Sequence, residues 1–557
     1  MSVAAGGCQL AGIDIAKSLL YTETGEMGGK DLRSGKFFSG KHRLTQLLRI
    51  FSQTVFFCLF LYLLLGTRHA GKDTIGAVER FFHFDPLLGA ATFLASRTFF
   101  KAFLLGLVTI VVTALFGRYV CGWVCPLGSL HHFTSFLFRR TKGSKPRLQK
   151  DNHLGWKYLI LVFIVIGSIF RLDLAGFMDP LSFLYRSFTA AVMPAVSMTI
   201  GAGTSLFLQV GLPYPGERWA RYLQDLAGNT TFRQALFIGL IFLGVILLNG
   251  VRPRFWCRFL CPAGALLGLL SRWNLVRLKI DTSRCNGCRL CTLHCQAQAT
   301  PHPNERWNRA ECMYCYTCAS ECPHQAISYP PGPAAADSHV VNLSRREVIF
   351  TSTLGLATVP LIALTGAERP SEKLIRPPGA LPELQFLAKC IKCGECMKVC
   401  PTNGLQNAFH EAGFLGIWTP VLVPRIGYCE YYCSLCTQVC PTGAIQELTI
   451  EEKLQTRIGM AWIKKHRCLP YALGEPCRVC EQRCPASPKA IQMVETRFSL
   501  PDGTTHALNA PVVDPELCNG CGVCETKCPV VDEPAIYCTS FGESRSEKEL
   551  SFPEYGK

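Results

Sequence analysis

The chain has 557 residues, 57 Lys and Arg against 40 Asp and Glu for a net charge of +17, and 31 cysteines. That length allows several domains; the positive charge does not point to nucleic acid, because aromatic-interleaved basic patches are missing and many basic residues flank apolar spans, as orientation in a bilayer requires. The cysteines recur as tight runs of four, which excludes a small secreted disulfide scaffold and departs from the two separated C-x-x-C pairs usual for zinc.

Residues 1–43 read as a cytoplasmic N-terminal segment and 44–270 as a four-helix transmembrane domain. Its apolar spans are 44–66, 99–118, 154–171 and 232–250, each near the length needed to cross roughly 30 Å of hydrocarbon. A further uncharged stretch, 188–212, is rich in Gly, Ala and Pro and reads as re-entrant or interfacial. The domain repeats internally. Asp85-Pro86-Leu87 precedes an apolar helix ending in CGWVCPLG, with Cys121, Cys125 and Pro126; Asp179-Pro180-Leu181 precedes another ending in CRFLCPAG, with Cys257, Cys261 and Pro262. If both halves share one topology, the stretch 188–212 does not cross. Basic residues before the first span (Lys30 to Arg43), after the first C-x3-C-P (Arg139 to Lys150) and around the second (Arg252, Arg254, Arg258, Arg272, Arg277, Lys279) put the N-terminus and both motifs on the cytoplasmic face.

Residues i and i+4 share a helix face, so each C-x3-C-P pair could offer two thiolates to one metal. Together, Cys121, Cys125, Cys257 and Cys261 could form a four-thiolate site or act as dithiols; buried apolar thiols are the plain alternative. Asp85, Asp179, His69 and His83 lie near the expected outer face and could take protons, with a structural or interfacial role the plainer reading of each.

Residues 271–335 form a cytoplasmic domain with two runs, Cys285, Cys288, Cys291, Cys295 and Cys312, Cys315, Cys318, Cys322. Three closely spaced thiolates can cap three irons of a cubane while a fourth comes from elsewhere. Residues 336–382 hold Arg345 and Arg346 ahead of an apolar helix and a Pro-rich linker. Paired arginines there resemble a twin-arginine export signal, with a plain fifth transmembrane helix the alternative; both take the chain to the far side.

The exported domain, 383–545, carries four runs. They are Cys390, Cys393, Cys396, Cys400; Cys429, Cys433, Cys436, Cys440; Cys468, Cys477, Cys480, Cys484; and Cys518, Cys521, Cys524, Cys528. Apolar stretches after them (GAIQEL, KAIQMV, PAIYC) are expected as covering strands. Cys8, Cys58 and Cys538 have no such context and read as ordinary residues.

Residues 280–330 resemble a bacterial two-cluster ferredoxin, which implies that Cys285, Cys288, Cys291 and Cys322 hold one cluster and Cys312, Cys315, Cys318 and Cys295 the other. The four exported runs resemble four-cluster electron-transfer subunits. That resemblance implies pairing of the outer runs (Cys390, Cys393, Cys396 with Cys528; Cys518, Cys521, Cys524 with Cys400) and of the inner runs (Cys429, Cys433, Cys436 with Cys484; Cys468, Cys477, Cys480 with Cys440). Sequential pairing is the alternative.

As a whole, the front half is similar to NapH/MauN-type ferredoxin membrane proteins and the back half to NapG/MauM-type four-cluster proteins, fused in one chain. The resemblance implies a membrane α-helical bundle plus α+β bacterial-ferredoxin-like 4Fe–4S domains. It implies six 4Fe–4S clusters, quinol as substrate, and a periplasmic reductase or c-type cytochrome as acceptor. It also implies a multi-pass place in the bacterial inner membrane, with the ferredoxin pair cytoplasmic and the four-cluster domain periplasmic. A second reading is a NosR/CcoG-like maturation factor, in which the C-x3-C-P thiols bind or reduce a further metal for another enzyme. No acid–base or nucleophilic constellation stands out, so electron transfer is the chemistry expected.

Overall fold

A computed structural model of the chain describes residues 40–70, 73–75, 78–99, 101–142, 154–209, 231–332, 343–366, 371–499 and 505–545. The N-terminal segment up to residue 39 with Cys8, the basic stretch 143–153 and the side chain of His69 lie outside the described residues.

The front of the chain is helical because its long apolar runs carry few breakers apart from four X-Pro steps. Helix α1 (Gly40–Gly66) is, among the described residues, the one helix long and apolar enough to cross a membrane by itself, over Leu44–Gly66. The chain then breaks at Asp85-Pro86 into α2 (Pro86–Ser96), followed by α3 (Leu105–Phe116). It breaks again at Cys125-Pro126 into α4 (Pro126–Lys142) and continues through α5 (Trp156–Ile169). The second half repeats the scheme: Asp179-Pro180 opens α6 (Pro180–Ser187), and Cys261-Pro262 opens α9 (Pro262–Leu270) after α7 (Met193–Gln209) and α8 (Ala235–Leu247). The residue before proline is driven out of the helical region, and proline suits the first helical position, where its missing N–H is no loss. Asp85, Asp179 and Cys261 are extended, with ψ of 110°, 133° and 106°.

Helices stand at three of the other expected spans, but each is shorter than expected. The 12 residues of α3 rise only about 18 Å, less than the hydrocarbon thickness. The stretch 188–212 is helical up to residue 209. A π turn at Phe188–Val192 joins α6 to α7, and Pro194 follows it in the first turn of α7, where a lost donor is tolerated. Aromatic side chains fill the bundle core: Phe60 meets Tyr185 and Phe188 edge-on at 6.4 and 6.1 Å.

The two-run domain after the bundle pairs Lys279–Ile280 with Ile327–Ser328. Helix α10 (Arg345–Gly366), which holds the paired arginines, lies along α5, with Val359 fully buried and Gly355 against Ile166 and Phe163. In the last domain Met460–Ile463 pairs with Ile536–Thr539, and Ile491–Ser499 forms a nine-pair hairpin with Thr505–Val513. The expected strands at KAIQMV and PAIYC are therefore present, whereas GAIQEL contributes one isolated bridge, Ala380 to Ile445.

This last domain sits directly on the bundle. Lys392 Nζ donates to Asp173 O at 2.9 Å, Arg186 Nη1 donates to Lys392 O at 2.9 Å, and Lys398 Nζ donates to Thr67 O at 3.0 Å. The approach is close enough that a Cβ on Gly176 would meet Ile391 O at 2.3 Å.

Candidate metal centres

The regular cysteine runs share one local conformation. In each, the residue before the second cysteine and the residue after it have positive φ: Gly287 and Arg289, Tyr314 and Tyr316, Lys392 and Gly394, Gly520 and Gly522. Two left-handed residues curl the loop so that its thiols face one point. For a residue with a Cβ this conformation costs roughly 1–2 kcal/mol, and Arg289, Tyr314, Tyr316 and Lys392 all adopt it. Strain of this kind persists where surroundings over-determine the backbone, as at a ligand clamp.

None of the described cysteines is in a disulfide. In the 280–330 domain Cys295 stands with Cys312, Cys315 and Cys318, and Cys322 packs in the same apolar cluster as Cys291, in keeping with the expected exchange of fourth cysteines. The last domain departs from expectation. Cys440 lies with Cys390, Cys393 and Cys396, and Cys400 lines one cavity with Cys429, Cys433 and Cys436. Cys484 lines another with Cys518, Cys521 and Cys524, while Cys528 lies near Cys468 and so with Cys477 and Cys480.

Pairing is thus sequential, not outer-with-outer and inner-with-inner. The reason is local packing: the short helix Glu395–Lys398 packs on Leu435–Gln438, and Val479–Arg483 packs on Val523–Lys527. Each pair of neighbouring runs closes on itself, and the two units join where Cys429 N–H donates to Cys521 O at 2.8 Å.

The donor sets suit clusters better than single ions. Among the described residues no three His, Cys, Asp or Glu side chains gather closely enough to hold one metal ion; the thiols instead surround cavities. Burial disfavours free thiolates, pushing Cys295, Cys390, Cys429 and Cys468 up to about 11 and Cys480 up to about 12. Thiols held protonated in this way ionise when metal takes the proton's place. Backbone N–H groups already point at sulfur: Ala299 to Cys295 at 3.3 Å, Ala326 to Cys322 at 3.4 Å and Ile445 to Cys440 at 3.4 Å. Such bonds are among the features that set cluster potentials.

The C-x3-C-P cysteines do not share one helix face, because the proline ends the first helix before the second cysteine. Cys121 lies in the short helix Tyr119–Trp123 and Cys125 precedes α4; Cys257 lies in a π turn, Trp256–Leu260, and Cys261 caps α9. The four are nevertheless brought together, each pair within electrostatic reach. Asp85 and Asp179 are buried helix caps that face each other. Asp85 Oδ1 accepts from Leu87 N–H at 2.8 Å and Asp179 Oδ2 from Ser182 N–H at 2.8 Å. His83 Nε2 lies 3.2 Å from Pro441 O, at the seam with the exported domain.

Several residues that matter here carry no motif. Cys538 lines the cavity of Cys484, Cys518, Cys521 and Cys524, with its thiol hydrogen-bonded to Cys524. Arg254 and Arg258, expected as cytoplasmic flanking charges, are buried instead.

Comparison with known proteins agrees with this picture. Family models described as 4Fe-4S binding domains match residues 98–145, 234–282, 436–467 and 511–531, and models described as 4Fe-4S dicluster domains match 311–405 and 389–444. The match at 389–444 covers the first two exported runs as one unit, as the fold does. An uncharacterized protein of Methanocaldococcus jannaschii is 26% identical over 51% of this chain and 87% of its own length. Ferredoxin-type protein NapH of Haemophilus influenzae is 26% identical over 44% of this chain and 74% of its own. Methylamine utilization ferredoxin-type protein MauM of Methylorubrum extorquens is 39% identical over 16% of this chain and 43% of its own. No solved structure matches the chain. The chain contains several 4Fe–4S ferredoxin domains and is similar to ferredoxin-type proteins of the NapH and MauM kind.

Proposed function

We propose that this iron–sulfur electron-transfer protein is embedded in the cytoplasmic membrane and carries electrons from quinol to a periplasmic reductase or c-type cytochrome, using six 4Fe–4S clusters. The observation that carries the reading is that the four-thiol sets are held in domains packed on one bundle. The first exported run is clamped to the bundle by Lys392 and Arg186, its unit touches the second through Cys429 and Cys521, and the two-run domain packs on the bundle through Arg118 and Glu311. Bound at these sets, cubane clusters supply one-electron chemistry. The chain's own part is to hold thiolates at fixed spacing, donate N–H groups to sulfur and exclude water.

Membrane embedding is supported by the outward faces of α1, α3, α8 and α10. They expose Phe51, Val108, Val111, Leu240 and Phe350 at 51–67%, a density of bare apolar side chains that marks a lipid or protein contact. Helix α10 packs on α5 with Val359 fully buried, which favours its retention as an anchor over its removal as a leader. Quinol as donor rests on the resemblance to NapH-type proteins.

The test is anaerobic purification in detergent followed by addition of menaquinol. The expected outcome is at least about 24 iron atoms with matching sulfide per chain, and reduction of the exported clusters by the quinol. Much less iron overturns the carrier reading, and full iron without reduction by quinol overturns the donor.

A further inference from the structure

We propose that Cys121, Cys125, Cys257 and Cys261 together hold one further iron–sulfur cluster within the helix bundle, which relays electrons between the two-run domain and the first exported set. The inference rests on the electron-carrier reading above and adds to it a site within the bundle.

Three observations carry it. The first is the symmetry of the donors. The two second cysteines each precede a proline at the start of a helix, and each sulfur accepts from the backbone N–H three residues on, Gly128 to Cys125 at 3.5 Å and Gly264 to Cys261 at 3.2 Å. In the ferredoxin domains Cys295, Cys322 and Cys440 likewise accept from backbone N–H groups, four or five residues on. Like the thiols of those sets, the four do not gather to single-ion distance, so a multi-atom cluster suits them and a lone copper or zinc ion held by three or more of them does not.

The second is charge. Arg118, Lys157 and Arg254 are at most 1% exposed, and all three lie within electrostatic reach of Cys257. The carboxylate that contacts them is Glu311, bonded to Arg118 at 3.1 Å and to Lys157. Arg118 Nε and Nη2 have no partner, and Nη2 stands beside Cys261: a Cβ built on Gly264 would lie 2.8 Å from Nη2 and 3.4 Å from Cys261 Sγ. Buried cations without counter-charge are costly. Four thiolates around a common oxidised iron–sulfur core carry about two negative charges in all, enough to offset three cations already matched by one carboxylate.

The third is position. Arg254 is within electrostatic reach of Cys257 on one side and Cys315 on the other. Toward the exported domain, Asp179 reaches Cys125, and Arg186 reaches both Asp179 and Cys393. Cys257 also shares an apolar cluster with Cys295 of the two-run domain, and Arg186 donates to Lys392 O in the first run of the last domain at 2.9 Å. The step is a one-electron transfer with no atom exchanged: the reduced cluster of the two-run domain loses one electron to the bundle cluster, which passes it to the exported set, or the same steps run in reverse.

The experiment uses the full chain and the Cys125→Ser/Cys261→Ser double variant; serine is a favoured cap, so the helix starts are kept. The variant is expected to lose about two to four iron atoms with equal sulfide and one component of the low-temperature EPR redox titration. A reductant supplied at the two-run domain should then no longer reduce the exported clusters. Arg118→Gln, which keeps every thiol, should retain the iron and lower the potential of that same component, because a positive charge is removed from it. Unchanged iron in the double variant, loss of copper instead of iron, or an unmoved potential in Arg118→Gln overturns the proposal. Wild-type protein with far fewer iron atoms than six clusters require would overturn the carrier reading itself, so the two failures are distinguishable.

Discussion

Cys538 shows what single residues add to the centres. It stands in no cysteine run, and its place became visible only when the strand Ile536–Thr539 paired with Met460–Ile463 and laid it beside Cys524. Beside a cluster held by Cys524, its thiol would donate toward that sulfur and favour the reduced state. Cys538→Ala should leave the iron content unchanged and lower the potential of one cluster of the last domain, as read by EPR redox titration. Glu383 belongs to another such arrangement, between Arg376 and Arg545, with Arg545 Nη1 at 2.9 Å. Burial would raise its carboxyl, but the two guanidiniums outweigh burial and hold it at about 2. A depressed carboxylate stabilises the fold above its ordinary range near 4.3 and loses that contribution as pH falls toward about 2, a window worth on the order of 3 kcal/mol. Glu383→Gln should therefore lower the unfolding temperature of the full chain at pH 7, with the gap to wild type narrowing below pH of about 4.5.

Among the elements, the internal repeat was legible in the sequence, but the helix starts were not. The C-x3-C-P motifs were read as helix ends, whereas Asp-Pro and Cys-Pro steps each force an extended residue and open a new helix. The cysteine ligand spacing was plain, because a cubane demands thiols from a short loop. Pairing of the last four runs was not legible, since spacing within a run does not name its partner and only packing, as of Glu395–Lys398 on Leu435–Gln438, decides it. The reach of α7 was hidden by Gly and Pro, which depress helix propensity until a π turn accommodates Pro194. Close approach of elements gives a direct test. Gly176→Val would drive a side chain into Ile391 O, which a Cβ alone already meets at 2.3 Å. The first exported loop should then exchange its amides faster while the clusters farther from the bundle stay protected, measured by hydrogen exchange.

For the molecule as a whole, the two-run domain meets one end of an apolar-faced bundle and the last domain the other, seated on the bundle and not tethered loosely beyond it. The two units of the last domain each exchange a fourth cysteine between neighbouring runs: Cys400 serves the thiols after it, and Cys440 those before it. This mutual supply has a bearing on life in air. Once oxygen strips one cubane, its loop, held in left-handed turns at Lys392 and Gly394, relaxes and withdraws the thiol it lends next door. Oxidative damage should consequently proceed in steps of about eight iron atoms, two cubanes at a time, and repair would have to rebuild both members of a couple together.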